Sequence, residues 1–193
     1  MTRLTDWRRS QRWYLLGLLV LAPVTFWLSA SEDWTAYASR NRINPIVVAK
    51  GATGDYVDAT WRLLAINADE SMTLRGGQSA PLPQTLSIVR VRLEVTPRTA
   101  NALEALGRCR GTLTDARGRR WDANPSEIAR RAKSLPTDCQ EWLNPKTLKT
   151  EQAQEGRPWV FELAYLVPRN ATGDVIPEIT VPQALPRYLR FER

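Results

Sequence analysis

The stretch SIVRVRLEV, Ser87 to Val95, sets Val89, Val91, Leu93 and Val95 against Arg90, Arg92 and Glu94. Side chains of an extended strand point alternately to opposite faces, so this period of two predicts a strand with one buried face and one wet face. That pattern belongs to an antiparallel sheet, because strands of a parallel sheet are covered on both sides. Upstream, INPIVVAK (Ile43 to Lys50) reads as a strand leading into the turn-like GATGD. VDATWRLLAI then puts Val57, Ala59, Trp61, Leu63 and Ala65 on one face, with Asp58, Thr60 and Arg62 opposite. Downstream, CRGTLTDARGRRW reads as a hairpin: Cys109, Gly111 and Leu113 share a face, Asp115 to Gly118 turns, and the chain returns through Trp121. WVFELAYLV places Trp159, Phe161, Leu163 and Tyr165 together, and EITV and YLRF close the chain with Leu189 and Phe191 on one side. Seven or eight short strands over residues 43–193 predict a mainly β fold, an antiparallel β-sandwich.

One or two short helical insertions interrupt this pattern. Thr96 and Pro97 can start a helix that Gly107 stops, with Ala102, Leu103 and Leu106 against the sandwich. Asn124, Pro125 and Glu127 form a second capped start, running to Leu135.

The N-terminal region follows different physics. WYLLGLLVLAPVTFWLSA, Trp13 to Ala30, runs 18 residues without a charge. As a helix it spans roughly 27 Å, close to the roughly 30 Å hydrocarbon core of a bilayer. Trp13 and Tyr14 stand at one end and Phe26 and Trp27 near the other, at the depths where amphipathic rings favour the headgroup boundary. Arg3, Arg8, Arg9 and Arg12 precede the span against one acid, Asp6, whereas Glu32 and Asp33 follow it. The positive-inside bias therefore predicts a single-pass signal anchor with residues 1–12 as a cytoplasmic tail and 13–30 as a transmembrane helix. Residues 31–42 become a juxtamembrane stalk, and 43–193 the extracytoplasmic domain of a cell-membrane protein. A soluble core helix would show a polar face, which this segment lacks. A cleaved signal peptide is the competing reading, since Ser29, Ala30 and Ser31 are small. Against it stand the length of the apolar run and the bulk of Phe26, Trp27 and Leu28.

The formal net charge is +7. Residues 1–31 account for +3 of it, leaving +4 over the rest, too dilute a field to indicate nucleic acid as a partner. The partners expected are the membrane and another envelope protein or a surface polymer. Cys109 and Cys139 fall on the outer side, where disulfides persist, and no C-x-x-C motif points to redox exchange. Their bond would close a 31-residue loop, for which the chain-entropy model gives roughly 3.7 kcal/mol.

Chemistry is sparse. The chain has no His, which removes His-based triads and most zinc or haem sites. There is no S-x-x-K, no P-loop and no G-x-G-x-x-G, and no cofactor is expected. Asp55 with Asp58, or Asp115 with Asp122, are the available carboxylate pairs, and they lack the ligand density of a calcium loop. Of the outer tryptophans, Trp61, Trp121 and Trp159 fall in or beside strands and read as core. Trp34 and Trp142 fall in irregular segments and are candidate partner contacts.

One combination carries a resemblance. It comprises the anchor, G-x-x-G-D-Y followed by Trp61-Arg62-Leu63, the alternating V-R-V-R-L-E-V strand, C-x-x-x-L-x-D-x-x-G-R-x-W from Cys109 to Trp121, Cys139, and F-E-L-x-Y-x-V-P. It resembles the immunoglobulin-like outer domains of small, mostly uncharacterised envelope proteins of actinobacteria, over residues 43–193. The resemblance implies an immunoglobulin-like sandwich outside the membrane and supplies no catalytic residues. A non-catalytic binding or assembly module of the envelope is the resulting expectation. The alternatives are an envelope enzyme using paired carboxylates, and a secreted protein after signal cleavage.

Overall fold

The computed structural model describes residues 18–27, 31, 34, 37, 41–73, 78–123, 135–144 and 147–193. The chain divides into two compact units, Met1–Asn41 and Arg42–Arg193. In the first, residues 18–27 are helical and exposed throughout, Phe26 and Trp27 included. Among the described residues no helix is long and apolar enough to cross a membrane. Arg8, Arg9, Arg12, Trp13 and Tyr14 lie outside the described residues, as does nearly all of the helix expected from Asn124 to Leu135.

The second unit is a β-sandwich. One sheet has the order β1 (Asn44–Val48), β13 (Arg187–Phe191), β12 (Ile176–Thr180), β7 (Arg110–Thr114), β8 (Arg120–Asp122). The other has the order β11 (Trp159–Pro168), β6 (Leu86–Pro97), β3 (Ala59–Asp69), β2 (Thr53–Tyr56). Two small ribbons, β4 (Ser71–Thr73) with β5 (Ser79–Pro81) and β9 (Glu141–Leu143) with β10 (Thr150–Gln152), complete the strands among the described residues.

The alternation in β6 does what its period requires. Val89, Val91, Leu93 and Val95 are buried, and across the ladder they stand opposite Tyr165, Leu163, Phe161 and Trp159 of β11. Trp61 meets Phe161 edge to face, ring centroids 6.4 Å apart, within a core closed from the other sheet by Val48, Leu113, Ile179, Leu189 and Phe191. Two glycines permit the sheets to approach. A Cβ at Gly54 would fall inside the Val48 side chain, where the edge strands β2 and β1 meet, and one at Gly111 would fall inside Leu163.

Several expectations need correction. The sandwich is not wholly antiparallel: β1 lies parallel to β13, from Asn44 opposite Arg187 to Val48 opposite Phe191. The GATGD turn is shorter than expected, because Gly51 takes the positive φ of 75° and Thr53 already opens β2. Ala65 does not share the face of Trp61. A bulge between Leu63 and Ala65 inserts Leu64 and shifts the period by one, so Ile66, opposite Val91, packs on the core. The helix is confined to Ala100–Leu106 and capped by Thr99, whose Oγ1 accepts from the Ala102 amide at 3.1 Å. Thr96 and Pro97 remain in β6.

The outer face of β6 is also drier than alternation alone implies. Arg90 is 3% exposed, its Nε donating to Asp69 at 2.6 Å and its Nη1 facing Glu162 at 3.4 Å. Arg92 reaches the other Glu162 oxygen at 3.2 Å. Buried charges persist where opposite charges and hydrogen bonds surround them, which is what this cluster supplies. On the other sheet Glu178 is similarly enclosed, accepting from Thr114 at 3.0 Å and facing Arg42 at 3.4 Å.

Candidate functional site

Tyr56 and Ala59 pair across the β2–β3 hairpin, leaving a two-residue turn of Val57 and Asp58 with φ of 53° and 50°. Two positive φ values in a two-residue loop define a type I′ turn, a geometry usually supplied by Asn and Gly. Asp tolerates it. A β-branched Val does not, and its left-handed backbone costs on the order of 1–2 kcal/mol. The turn is held from outside: the Arg98 amide donates to the Asp58 carbonyl at 2.9 Å, and Val57, expected on the strand face, folds its half-buried side chain against the core.

Tyr56 anchors the same turn to the opposite sheet. Its Oη donates to the Arg187 carbonyl at 2.9 Å and accepts from the Val181 amide at 3.1 Å, while its own carbonyl accepts from the Trp61 indole at 3.0 Å. Burial raises the Tyr56 pKa, and the Val181 hydrogen bond and the Arg187 guanidinium oppose that rise in part.

In front of this turn lies an open cleft of about 390 Å³. Its apolar lining comes from Ile46, Val57, Ala59 and Ala184; Asp55, Asp58, Arg98, Gln183 and Arg187 supply the polar groups. The charges are not equally committed. Asp55 forms an ion pair with Arg98, and Thr60 bridges the two, donating to Asp55 at 3.2 Å and accepting from Arg98 at 2.7 Å. The Gln183 amide faces Arg108 and, with its oxygen turned to the guanidinium, accepts from it at 3.1 Å. Arg187 and Asp58 form no ion pair or side-chain hydrogen bond among the described residues, with each other or with anything else. A second cleft of about 370 Å³ lies over the β3 bulge, between Leu63–Ile66 and the side chains of Lys50, Glu192 and Arg193.

The expected disulfide is present. Cys109 and Cys139 are bonded with Cα atoms 6.3 Å apart, inside the range such bridges occupy. Cys109 precedes β7 in one sheet. Cys139 sits in a connection that runs along the free edge of β11 in the other, where the Glu162 amide donates to the Pro136 carbonyl at 2.8 Å and the Trp159 indole to the Asp138 carbonyl at 3.0 Å. The bridge therefore fastens an edge cover across the sandwich, and covered edges do not template pairing with other chains.

The tryptophans divide as follows. Trp61 is fully buried, whereas Trp121 and Trp159 are half-buried, and the Arg119 guanidinium lies 5.4 Å from the Trp121 ring centroid. Trp34 is exposed in the first unit, its ring 5.8 Å from that of Tyr37. Trp142, in the second unit, is half-buried on β9.

Asp115 serves its turn. Its carboxylate accepts from the amides of Arg117 and Arg119 at 3.0 and 2.9 Å and from the Arg119 Nε at 2.8 Å. Desolvation acts to raise its pKa, and those hydrogen bonds outweigh it, holding the carboxyl below its ordinary range. Asp55 is ion-paired with Arg98, and Asp58 lines the same cleft. Among the described residues no group of three or more Cys, Asp or Glu is placed to hold a metal ion.

The sequence carries no local signal for the cleft. Alternation puts Asp58 on a wet strand face, and nothing local in the sequence marks Val-Asp as a type I′ turn. The Tyr56–Arg187 and Gln183–Arg108 links join residues too distant in the chain for spacing to reveal.

No protein-family model matches the chain, and no curated protein matches it. Two solved structures are similar. A secreted protein of Mycobacterium tuberculosis, MPT63, aligns at 10% identity over 77% of this chain and 98% of its own, with a TM-score of 0.46. An uncharacterised β-sandwich protein of Clostridium difficile aligns at 8% identity over 78% and 95%, with a TM-score of 0.43.

Proposed function

We propose that the chain is a membrane-anchored, non-catalytic binding or assembly module of the cell envelope, in the manner of the actinobacterial outer domains it resembles. Its N-terminus lies in the cytoplasm and its sandwich outside. The observation that carries the binding reading is the cleft at the β2–β3 turn, where, among the described residues, the Arg187 guanidinium and the Asp58 carboxylate make no ion pair and share the lining with apolar side chains. Val57 holds a left-handed backbone that Asn-Gly would adopt without cost, as strained turns at binding sites do. The Cys109–Cys139 bridge supports an oxidising compartment. The helix at residues 18–27, apolar and exposed on every side, supports a lipid environment for that segment. The partner is another envelope protein or a surface polymer.

The test places a photoreactive side chain at Gln183, or at exposed Glu155 as a control, in the full-length chain in intact cells. A discrete adduct at position 183 and none at 155 supports the reading. No adduct at 183, or equal labelling at both, overturns it. Protease added to unbroken cells checks the topology: the domain is digested if it lies outside, and a mature N-terminus near Glu32 would show a secreted protein instead.

A further inference from the structure

Resting on that reading, we infer that the ligand of the cleft is a short zwitterionic peptide of two or three residues, its free carboxylate on Arg187, its free amine on Asp58 and an apolar side chain on the floor. The argument is one of subtraction. Of four charged groups lining the cleft, Asp55 and Arg98 neutralise each other with Thr60 between them. What remains is one guanidinium and one carboxylate, exposed and unpaired with each other. A purely anionic ligand would meet Asp58, and a purely cationic one Arg187. A ligand bearing both signs, separated, satisfies both.

Size sets the separation. A sphere of the cleft's volume is about 9 Å across, and an extended chain advances about 3.3–3.6 Å per residue, so two or three residues span it. Ile46, Val57, Ala59 and Ala184 give the same cleft apolar lining, where an aliphatic side chain would be drawn out of water. Tyr56 holds the Arg187 backbone, and the Arg98 amide holds the Asp58 backbone, so the main chain that carries both recognition residues is anchored before a ligand arrives.

Saturation-transfer NMR on the full-length chain in detergent micelles decides the matter with four probes: glycyl-leucine, N-acetylglycyl-leucine, glycyl-leucinamide and leucine. Glycyl-leucine is expected to bind, and each blocked form to bind about fivefold more weakly, the scale of one partly exposed ion pair. Arg187→Gln should abolish the preference for the free carboxylate, and Asp58→Asn, which keeps a residue that tolerates the positive φ, the preference for the free amine. Equal binding of the free and blocked dipeptides, tighter binding of leucine than of glycyl-leucine, or no binding of any probe at about 10 mM overturns the peptide assignment. An adduct at position 183 in cells together with such a result would leave the binding reading standing and remove only this ligand class.

Discussion

Replacing Tyr56 by Phe removes a single oxygen from the interface between the two sheets. Tyr56 is 4% exposed, and its hydroxyl is both a donor to the Arg187 carbonyl at 2.9 Å and an acceptor from the Val181 amide at 3.1 Å. The ring still fits, so no cavity of consequence opens. The cost comes from the buried Val181 amide left without a partner, about 1–3 kcal/mol, while the partly exposed Arg187 carbonyl can turn to water for a few tenths. A total of about 2 kcal/mol corresponds, for a chain of this size, to a fall in Tm of about 4–8 °C. Thermal and urea unfolding followed by circular dichroism measures it, with Tyr188→Phe as a control, since the Tyr188 hydroxyl has no hydrogen bond among the described residues. The pH dependence supplies a second signature. Burial raises the folded-state pKa of Tyr56, so its neutral form is favoured by folding below the ordinary tyrosine pKa and that contribution is lost as pH climbs through and beyond it. The Phe variant should therefore lose less stability than the parent above about pH 10. A Tm within about 1 °C of the parent, with identical alkaline behaviour, would refute the role given to this hydroxyl.

Replacing both Cys109 and Cys139 by Ala should lower stability by roughly 3.7 kcal/mol and Tm by about 7–15 °C, read by calorimetry; an unchanged Tm would show that the edge cover is held without the bridge. Gly111→Ala forces a methyl into Leu163 and to 2.6 Å from the Tyr165 hydroxyl, both buried, so a loss of about 1–3 kcal/mol is expected in urea denaturation. Asp115 has a lowered folded-state pKa, so its contribution is present above the ordinary carboxylate pKa and lost as pH falls through the folded value; Asp115→Asn should flatten the acid limb of the stability profile. Tyr165, whose pKa is pushed upward by burial and by the nearby Asp122 charge, should behave like Tyr56: Tyr165→Phe is expected to reduce the alkaline loss of stability measured by unfolding at high pH.

The strands with an unbroken period of two were legible because their burial is decided residue by residue. β6, β11 and the β7–β8 hairpin lie where alternation and the Asp115–Gly118 turn place them. Legibility failed where one residue changed the count. The inserted Leu64 moves Ala65 off the Trp61 face and brings Ile66 in, and no propensity at Leu63-Leu64-Ala65 announces it. It failed also where tertiary contacts override local preference, as at Val57, whose turn geometry contradicts its side chain. Arg90 shows a third limit: alternation gave its direction correctly, but the acids that bury it come from β3 and β11, 21 and 72 residues away. The Cys109–Cys139 bridge was readable from compartment and spacing, whereas the cleft, assembled from both sheets, was not.

The parallel seam between β1 and β13 has a consequence for the order of events during synthesis. The first strand of the sandwich finds its hydrogen-bonding neighbour only in the last strand of the chain, with the Glu192 amide closing on the Val48 carbonyl at 2.8 Å. An emerging nascent chain thus carries an unpaired β1 until β13 has been made, and a β-topology with such distant pairings assembles slowly even then. Loss of β13 therefore removes two things at once, the hydrogen-bonding neighbour of β1 and the core side chains of Leu189 and Phe191.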